Sequence, residues 1–176
     1  KSIKNKKGEL VCKNVFPTIP LKFWNDKKNI KFKEAYFKKF NNIWHHGDYA
    51  EIKKSGGFVI YGRSDTTLNP GGVRLGTSEI YSEVEKFKEI KESIVVGQTW
   101  DNDIRIILFV LMKKNYKLDS KLINRIKLQI KKNASPRHVP KKILSVNDIP
   151  RTKNGKIVEL AVKNIIEGSK VKNKEA

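Results

Sequence analysis

Gly62-Arg63-Ser64-Asp65-Thr66-Thr67-Leu68-Asn69-Pro70-Gly71-Gly72-Val73-Arg74-Leu75-Gly76-Thr77-Ser78-Glu79-Ile80 separates a hairpin pattern from an alternation of strands and helices, and its reading sets the architecture on both sides. Before any helical periodicity begins, the stretch holds Arg63 and Arg74, one acid at Asp65, and glycines at 71, 72 and 76. Glycine admits positive φ and close approach of another group. Arginine presents a fixed planar fork to phosphate or carboxylate. A loop that combines the two is suited to moving around, or closing onto, an anion.

Upstream, Tyr49-Ala50-Glu51-Ile52 and Phe58-Val59-Ile60-Tyr61 flank Lys53-Lys54-Ser55-Gly56-Gly57, a glycine-bearing turn of hairpin length. Residues 1–46 read as irregular, punctuated by Phe16-Pro17, Ile19-Pro20 and Phe23-Trp24. Within them Phe32, Tyr36, Phe37 and Phe40 recur at the spacing of a short helix burying an aromatic face, a pattern that belongs to cores far more often than to ligand boxes. Downstream, Thr77 is expected to cap a helix running to about Phe87, with Glu79 in its first turn. Ile94-Val95-Val96 and the run from Ile104 to Leu111 read as strands, the second apolar enough to be central.

Asp119 opens a helix with Leu122, Ile123, Ile126 and Ile130 on one face, ended by Ser135-Pro136 and Val139-Pro140. Lys142-Ile143-Leu144-Ser145-Val146 reads as a further strand, and roughly 158–166 as a last helix. The prediction is an α+β fold: a small C-terminal domain with a short sheet flanked by helices, preceded by the end of a larger N-terminal domain made of the hairpin and the irregular segment. The expected divisions are 1–64 for the end of the larger domain, 65–168 for the C-terminal domain, and 169–176 for a disordered basic tail.

With 38% hydrophobic and 32% charged residues the chain has enough apolar content for a core, which excludes wholesale disorder. No apolar run approaches the roughly 18 residues of a membrane span, and no secretory signal opens the chain, so no membrane partner is expected. Cys12 is the single cysteine, which points to a reducing, cytoplasmic setting. Met112 is the only methionine, and the chain reads as a fragment or a processed piece. The net charge of +20 invites a nucleic-acid reading. Against it, only six of the 38 basic residues are arginine, and the lysines spread from end to end among many asparagines. That distribution is a solvated surface, with charge-only binding at low salt and no specific nucleic-acid partner.

Two further motifs carry candidate chemistry. Ile149-Pro150-Arg151-Thr152-Lys153-Asn154-Gly155-Lys156 is a loop stiffened by proline and loosened by glycine just before a helix, placed to project the Lys156 ammonium outward. On composition alone it is one more surface lysine. Trp44-His45-His46-Gly47-Asp48 offers either a Gly-Asp turn before a strand or an acceptor-only carboxylate suited to a vicinal diol. Adjacent histidines rarely converge on one ion and no Cys/His partner follows at usable spacing, so no metal site is expected.

Taken in order, these motifs resemble those of the acyl-adenylate-forming enzymes: acyl-CoA synthetases, peptide-synthetase adenylation domains and luciferases. Asn69-Pro70-Gly71-Gly72-Val73-Arg74-Leu75-Gly76-Thr77 is most similar to the branch that activates acetoacetate. The likeness runs from about Gly8 to Val162 and is strongest at 44–81 and 135–162. It implies that Lys156 is the catalytic lysine, reaching the acyl carboxylate and the α-phosphate. Asp48 would accept hydrogen bonds from both ribose hydroxyls, and Arg63 and Arg74 would face the ribose and phosphates of the nucleotide. Asp65 matches the hinge about which the small domain swings. Asn69, Gly71 and Gly72 match the loop whose glycine borders the pantetheine tunnel in the family, and Lys131, with Lys132 beside it, falls where related synthetases place a basic residue near the 3′-phosphate of coenzyme A. Asn154, His46 and Trp44 stand where the family usually has serine, threonine and tyrosine.

The implied reaction takes ATP with Mg2+, coenzyme A and acetoacetate or another short carboxylic acid to AMP, pyrophosphate and the acyl-CoA through an acyl-adenylate. A ligase for acetate or propionate is the alternative within the family, and a basic nucleic-acid-binding module the alternative outside it. The family's Ser/Thr/Gly-rich phosphate loop and acyl pocket have no counterpart in this sequence. Both belong to the larger N-terminal domain, so the chain is expected to be inactive alone and to need that domain as its partner.

Overall fold

The computed structural model of the chain describes residues 3–171, which fall into two units divided in sequence between Ser64 and Asp65. In the first, β1 (Lys7–Cys12), β2 (Trp44–Ile52) and β3 (Phe58–Arg63) form an antiparallel sheet in that order. The β2–β3 hairpin closes as its turn residues predict, with the Lys53 N–H on the Gly57 carbonyl at 2.8 Å. Two features differ from the sequence reading. β1 lies within a stretch read as irregular, and β2 begins at Trp44, so Gly47-Asp48 is strand rather than turn. Both follow from a pairing between segments distant in sequence: Lys7 lies opposite Glu51 and Cys12 opposite Trp44. Neither segment shows alone the strict alternation that marks a half-buried strand.

The aromatic run clusters as its spacing predicts, but Phe32, Tyr36, Phe37 and Phe40 are each only half-buried. α1 (Ile30–Tyr36) is held at its start by the Asp26 carboxylate, which accepts the Lys31 and Phe32 N–H groups at 3.0 and 2.8 Å. Tyr36 stacks on the buried Trp44 with centroids 3.8 Å apart, and Phe16, Phe32 and Phe37 surround that ring at 5.4 to 6.4 Å. Phe40 packs instead against His45.

The second unit is an α+β assembly around β4 (Ile90–Trp100), β5 (Asp103–Met112) and β6 (Lys142–Val146), in the order β4-β5-β6. β4 and β5 form an antiparallel hairpin turning at Asp101-Asn102, both with positive φ, the geometry that two-residue hairpin turns favour. β5 and β6 are parallel, so a crossover is required, and α3 (Ser120–Asn133) makes it. The nearly continuous apolar run of β5 is explained by burial on both faces. Ile106, Leu108 and Val110 join one cluster with Ile80 and Val84 of α2 (Ser78–Val84) and with Leu122, Ile126 and Ile130 of α3. Ile107, Phe109 and Leu111 join a second with Ile149 and with Val162 and Ile166 of α4 (Glu159–Ile166). Each fully buried Ile or Leu is worth about 1.5–3 kcal/mol, so this two-sided strand anchors the unit.

α3 starts at Asp119 as read, its carboxylate accepting the Leu122 N–H at 2.7 Å. α2 differs. It ends at Val84, short of Phe87, and Thr77 has helical φ/ψ, is buried, and makes no side-chain capping bond. Glu79 reaches back instead to the Gly76 N–H at 3.3 Å. Of the tail expected at 169–176, residues 172–176 lie outside the described residues. Among the described residues no helix is long and apolar enough to cross a membrane.

Candidate functional site

In the first unit the β2–β3 register sets Asp48 opposite Arg63. Arg63 Nη1 donates to Asp48 Oδ1 at 3.5 Å and to the His46 carbonyl at 3.2 Å, while His46 Nδ1 lies 2.6 Å from Asp48 Oδ2. Gly47 between them holds φ +85°, which an L side chain rarely adopts, and a Cβ there would also sit 2.7 Å from Arg63 Nη2 and push the tip of that side chain aside. The Arg63 side chain is 54% exposed and Asp48 19%, so the pair is weak and ready to exchange partners. It offers acceptor oxygens for hydroxyls and a cation for phosphate. Behind it Glu9 accepts from Lys39 Nζ at 2.5 Å, lies 3.1 Å from His45 Nε2, and takes the Ser64 hydroxyl in a short bond. Ser64 also gives its N–H to the Gly47 carbonyl at 2.9 Å. Sequence reasoning passed over Glu9, whose partners include Lys39, His45 and Ser64, all distant from it in sequence.

In the second unit Asp65 is exposed. Leu68 and Leu75 exchange backbone hydrogen bonds of 3.0 and 2.7 Å and pinch the loop between them. A 3-10 turn at Pro70–Gly72 carries Gly71 at φ +58° and Gly72 at φ +74°. A Cβ at either meets nothing within 4 Å, so the demand there is conformational rather than steric. Arg74 Nε donates to Thr67 Oγ1 at 3.1 Å. Asp103 Oδ1 takes the Gly71 N–H at 2.8 Å and the Ile104 N–H at 2.7 Å, and these bonds hold its carboxyl below the usual range.

Gly71 and Lys131 are brought together on the wall of an open cavity of about 1020 Å3, with Arg105, Lys127, Arg137 and Lys141 and with the two acids Asp101 and Asp103, so that cations outnumber carboxylates there. Arg105 lies 3.7 Å above the Trp100 ring on the same wall. Asn69, Gly72 and Lys132 do not line it. Lys127 was legible in principle, being one turn before Lys131 on the same helix face. Arg105 and Arg137 come from other elements and gave no such signal.

The Lys156 loop is closed rather than loosened, contrary to the sequence reading. Arg151 and Ile157 form a β-bridge. The Thr152 N–H bonds the Lys156 carbonyl at 2.9 Å, the Gly155 N–H bonds the Thr152 carbonyl at 2.8 Å, and the Lys156 N–H reaches Thr152 Oγ1 at 3.2 Å. Lys156 itself is exposed, and its ammonium has no carboxylate in ion-pair reach among the described residues. Beyond it, at the start of the last helix, Glu159 accepts the Tyr81 hydroxyl at 2.5 Å, and Tyr81 Oη takes the Val95 N–H at 3.0 Å. Burial first, then the Glu159 charge, pushes the Tyr81 phenol far above its ordinary range. Among the described residues no three His, Cys, Asp or Glu side chains gather in a metal-holding arrangement.

Residues 79–156, the greater part of the second unit, match the family described as the AMP-binding enzyme C-terminal domain. Over its full length the chain is similar to acetoacetyl-CoA synthetases: 54% identical to that of Rhizobium meliloti (strain 1021) and 48% identical to that of Gallus gallus, in each case covering 27% of the relative. The solved structure of the acetoacetyl-CoA synthetase from Streptomyces lividans is 40% identical and superposes with a TM-score of 0.87, covering 93% of this chain and 24% of that one. The resemblance drawn from the motifs is borne out along the whole chain. The chain spans about a quarter of the length of these relatives.

Proposed function

We propose that this chain supplies the C-terminal quarter of an AMP-forming acid–thiol ligase that joins acetoacetate to coenzyme A, and that Lys156 is the cation its adenylation step uses. One observation carries the reading: an exposed ammonium without an acid partner among the described residues, on a loop closed by its own backbone, in a chain 54% identical to an acetoacetyl-CoA synthetase. When a carboxylate attacks the α-phosphate of ATP, two anions approach and charge spreads over the phosphoryl oxygens. Their repulsion at 4 Å is about 4 kcal/mol at an effective dielectric of 20. A cation delivered from a second body offsets that repulsion where the charge develops. An ammonium already engaged by a carboxylate would have to break that pair first.

The remaining assignments follow the same chemistry. Asp48 accepts from the ribose hydroxyls of the nucleotide, for which an acceptor-only carboxylate held in mid-strand on β2 is suited. Arg63 and Arg74 face its phosphates. Asp65 is the hinge, and Asn69, Gly71, Gly72 and Lys131 meet coenzyme A, with the cationic cavity beside Gly71 and Lys131 taking its phosphates. We assign no residue of this chain to Mg2+, which would arrive on the ATP phosphates. The phosphate loop and acyl pocket belong to the N-terminal domain that the chain requires as partner, and the assembled enzyme works in the cytoplasm on the pathways of lipid and fatty acid metabolism.

The test is a chimera in which these 176 residues replace the matching quarter of the Rhizobium meliloti enzyme. Lys156→Ala is expected to abolish ATP–pyrophosphate exchange while leaving thioester formation from supplied acetoacetyl-adenylate within about threefold of the parent, because only the first half-reaction brings the two anions together. Equal loss of both half-reactions contradicts the assignment. The 176-residue chain by itself is expected to show no exchange.

A further inference from the structure

Lys156 lies between two anchors that both run to β4. Ahead of it, Arg151 donates through Nη1 to the Gly155 carbonyl at 3.0 Å and through Nη2 to the Glu92 carboxylate on that strand. After it, Glu159 in the first turn of α4 holds Tyr81, whose oxygen takes the N–H of Val95, again on β4. The carbonyl that Arg151 grips belongs to the residue immediately before the lysine. We propose that Arg151 and Glu92 are positioning residues for Lys156: one guanidinium bridges a strand carboxylate and the loop backbone, and so fixes where the ammonium is presented. This rests on the assignment of Lys156 above.

An ordinary surface ion pair contributes little. This one differs in that the arginine's second nitrogen closes the loop itself, and in that both partners are only about one-third exposed, at 34% and 33%. The planar fork matters, since a lysine at 151 is a point charge that reaches one acceptor and leaves the other. Position matters because a displacement of about 1 Å in a group that acts on a transition state costs on the order of a hundredfold in rate. The arrangement is invisible in sequence: Glu92 and Arg151 are 59 residues apart, and each is one charge among many.

Two measurements test it. In the 176-residue chain, Arg151→Ala and Glu92→Gln are expected to speed amide hydrogen exchange at Thr152 and Gly155, the donors of the loop's own bonds, by at least about tenfold, with the β5 amides unchanged. Unchanged exchange at Thr152 and Gly155 overturns the proposal. In the chimera, Arg151→Ala is expected to lower the turnover of ATP–pyrophosphate exchange by roughly ten- to a hundredfold, with thioester formation from supplied adenylate nearly unaffected and Arg151→Lys intermediate. Exchange at the parental rate, or equal loss of both half-reactions, overturns it. A Lys156→Ala chimera that exchanges at the parental rate overturns the functional assignment instead, and the amide-exchange result then reports on the loop alone.

Discussion

Glu83 shows how this surface-rich sequence fastens its helices. It is buried on α2 and accepts from Lys86 Nζ at 2.7 Å, Gln129 Nε2 at 2.9 Å and Asn133 Nδ2 at 2.8 Å, the last two on α3. Burial alone would raise its pKa, but the three donors outweigh it and hold the carboxyl below its ordinary value. Glu83→Ala strands two amide donors and unties α2 from α3, with an expected loss of about 1–3 kcal/mol in urea unfolding followed by far-UV circular dichroism. Gly47 makes a different demand. Gly47→Ala pays for a left-handed φ, about 1–2 kcal/mol, and also drives a Cβ into the Arg63 guanidinium. Gly72→Ala faces only the φ cost, because nothing lies within 4 Å. Both variants are expected to shift the urea midpoint, but only Gly47→Ala is expected to move the Arg63 Nε resonance in a 15N spectrum.

At the scale of elements, the two helix starts separate a cap from its likeness. The Asp119 carboxylate accepts the Leu122 N–H, whereas the Thr77 side chain makes no capping bond. Asp119→Ala is therefore expected to cost about 1 kcal/mol, and Asp119→Asn only a fraction of that, in the same urea assay. A Thr77→Ala effect, if measured, reports lost packing of a buried side chain. The contrast also marks what the sequence discloses. α3 and β6 were legible because the determinants are local: an N-cap with apolar residues on one face, and an apolar run bounded by prolines. β1 was not, since its hydrogen bonds depend on β2 more than 30 residues away. The site divides along the same line. Lys156, Asp48 and Arg63 could be named from motifs, but the pairing of Asp48 with Arg63 needed the strand register, and the cationic cavity needed β5, α3 and the 136–141 segment folded together. Side chains that act through distant partners leave no local pattern to read.

For the molecule as a whole, charge and pH are linked through a small set of carboxylates. Glu51 is held below its ordinary pKa by Lys53 and then Tyr61, Glu89 by Arg125, Asp103 by the Gly71 and Ile104 N–H groups, and Glu83 by its three donors against burial. In each case the folded state favours the ionised form, so between the folded and unfolded pKa values the unfolded chain binds more protons. Their contribution is then complete above the unfolded values, about 4 to 4.5, and is lost as pH falls through the lower folded ones. Protonation acts in the same direction a second way, because it adds to a chain already at +20 and so increases self-repulsion of the compact state. The urea midpoint is expected to hold from pH 7 to about 5 and to fall steadily from 5 to 3. Added salt separates the two causes. About 0.5 M NaCl shortens the screening length to a few ångströms and is expected to recover the repulsive part, while the loss at Glu83 and Glu89 persists because their partners are protein groups at 2.7–2.9 Å. Glu83→Gln is expected to flatten the fall between pH 5 and 3 at either salt concentration. A midpoint that rises as the solution is acidified would mean that the folded state prefers these acids protonated, and that the donors around Glu83 and Glu89 do not outweigh their burial.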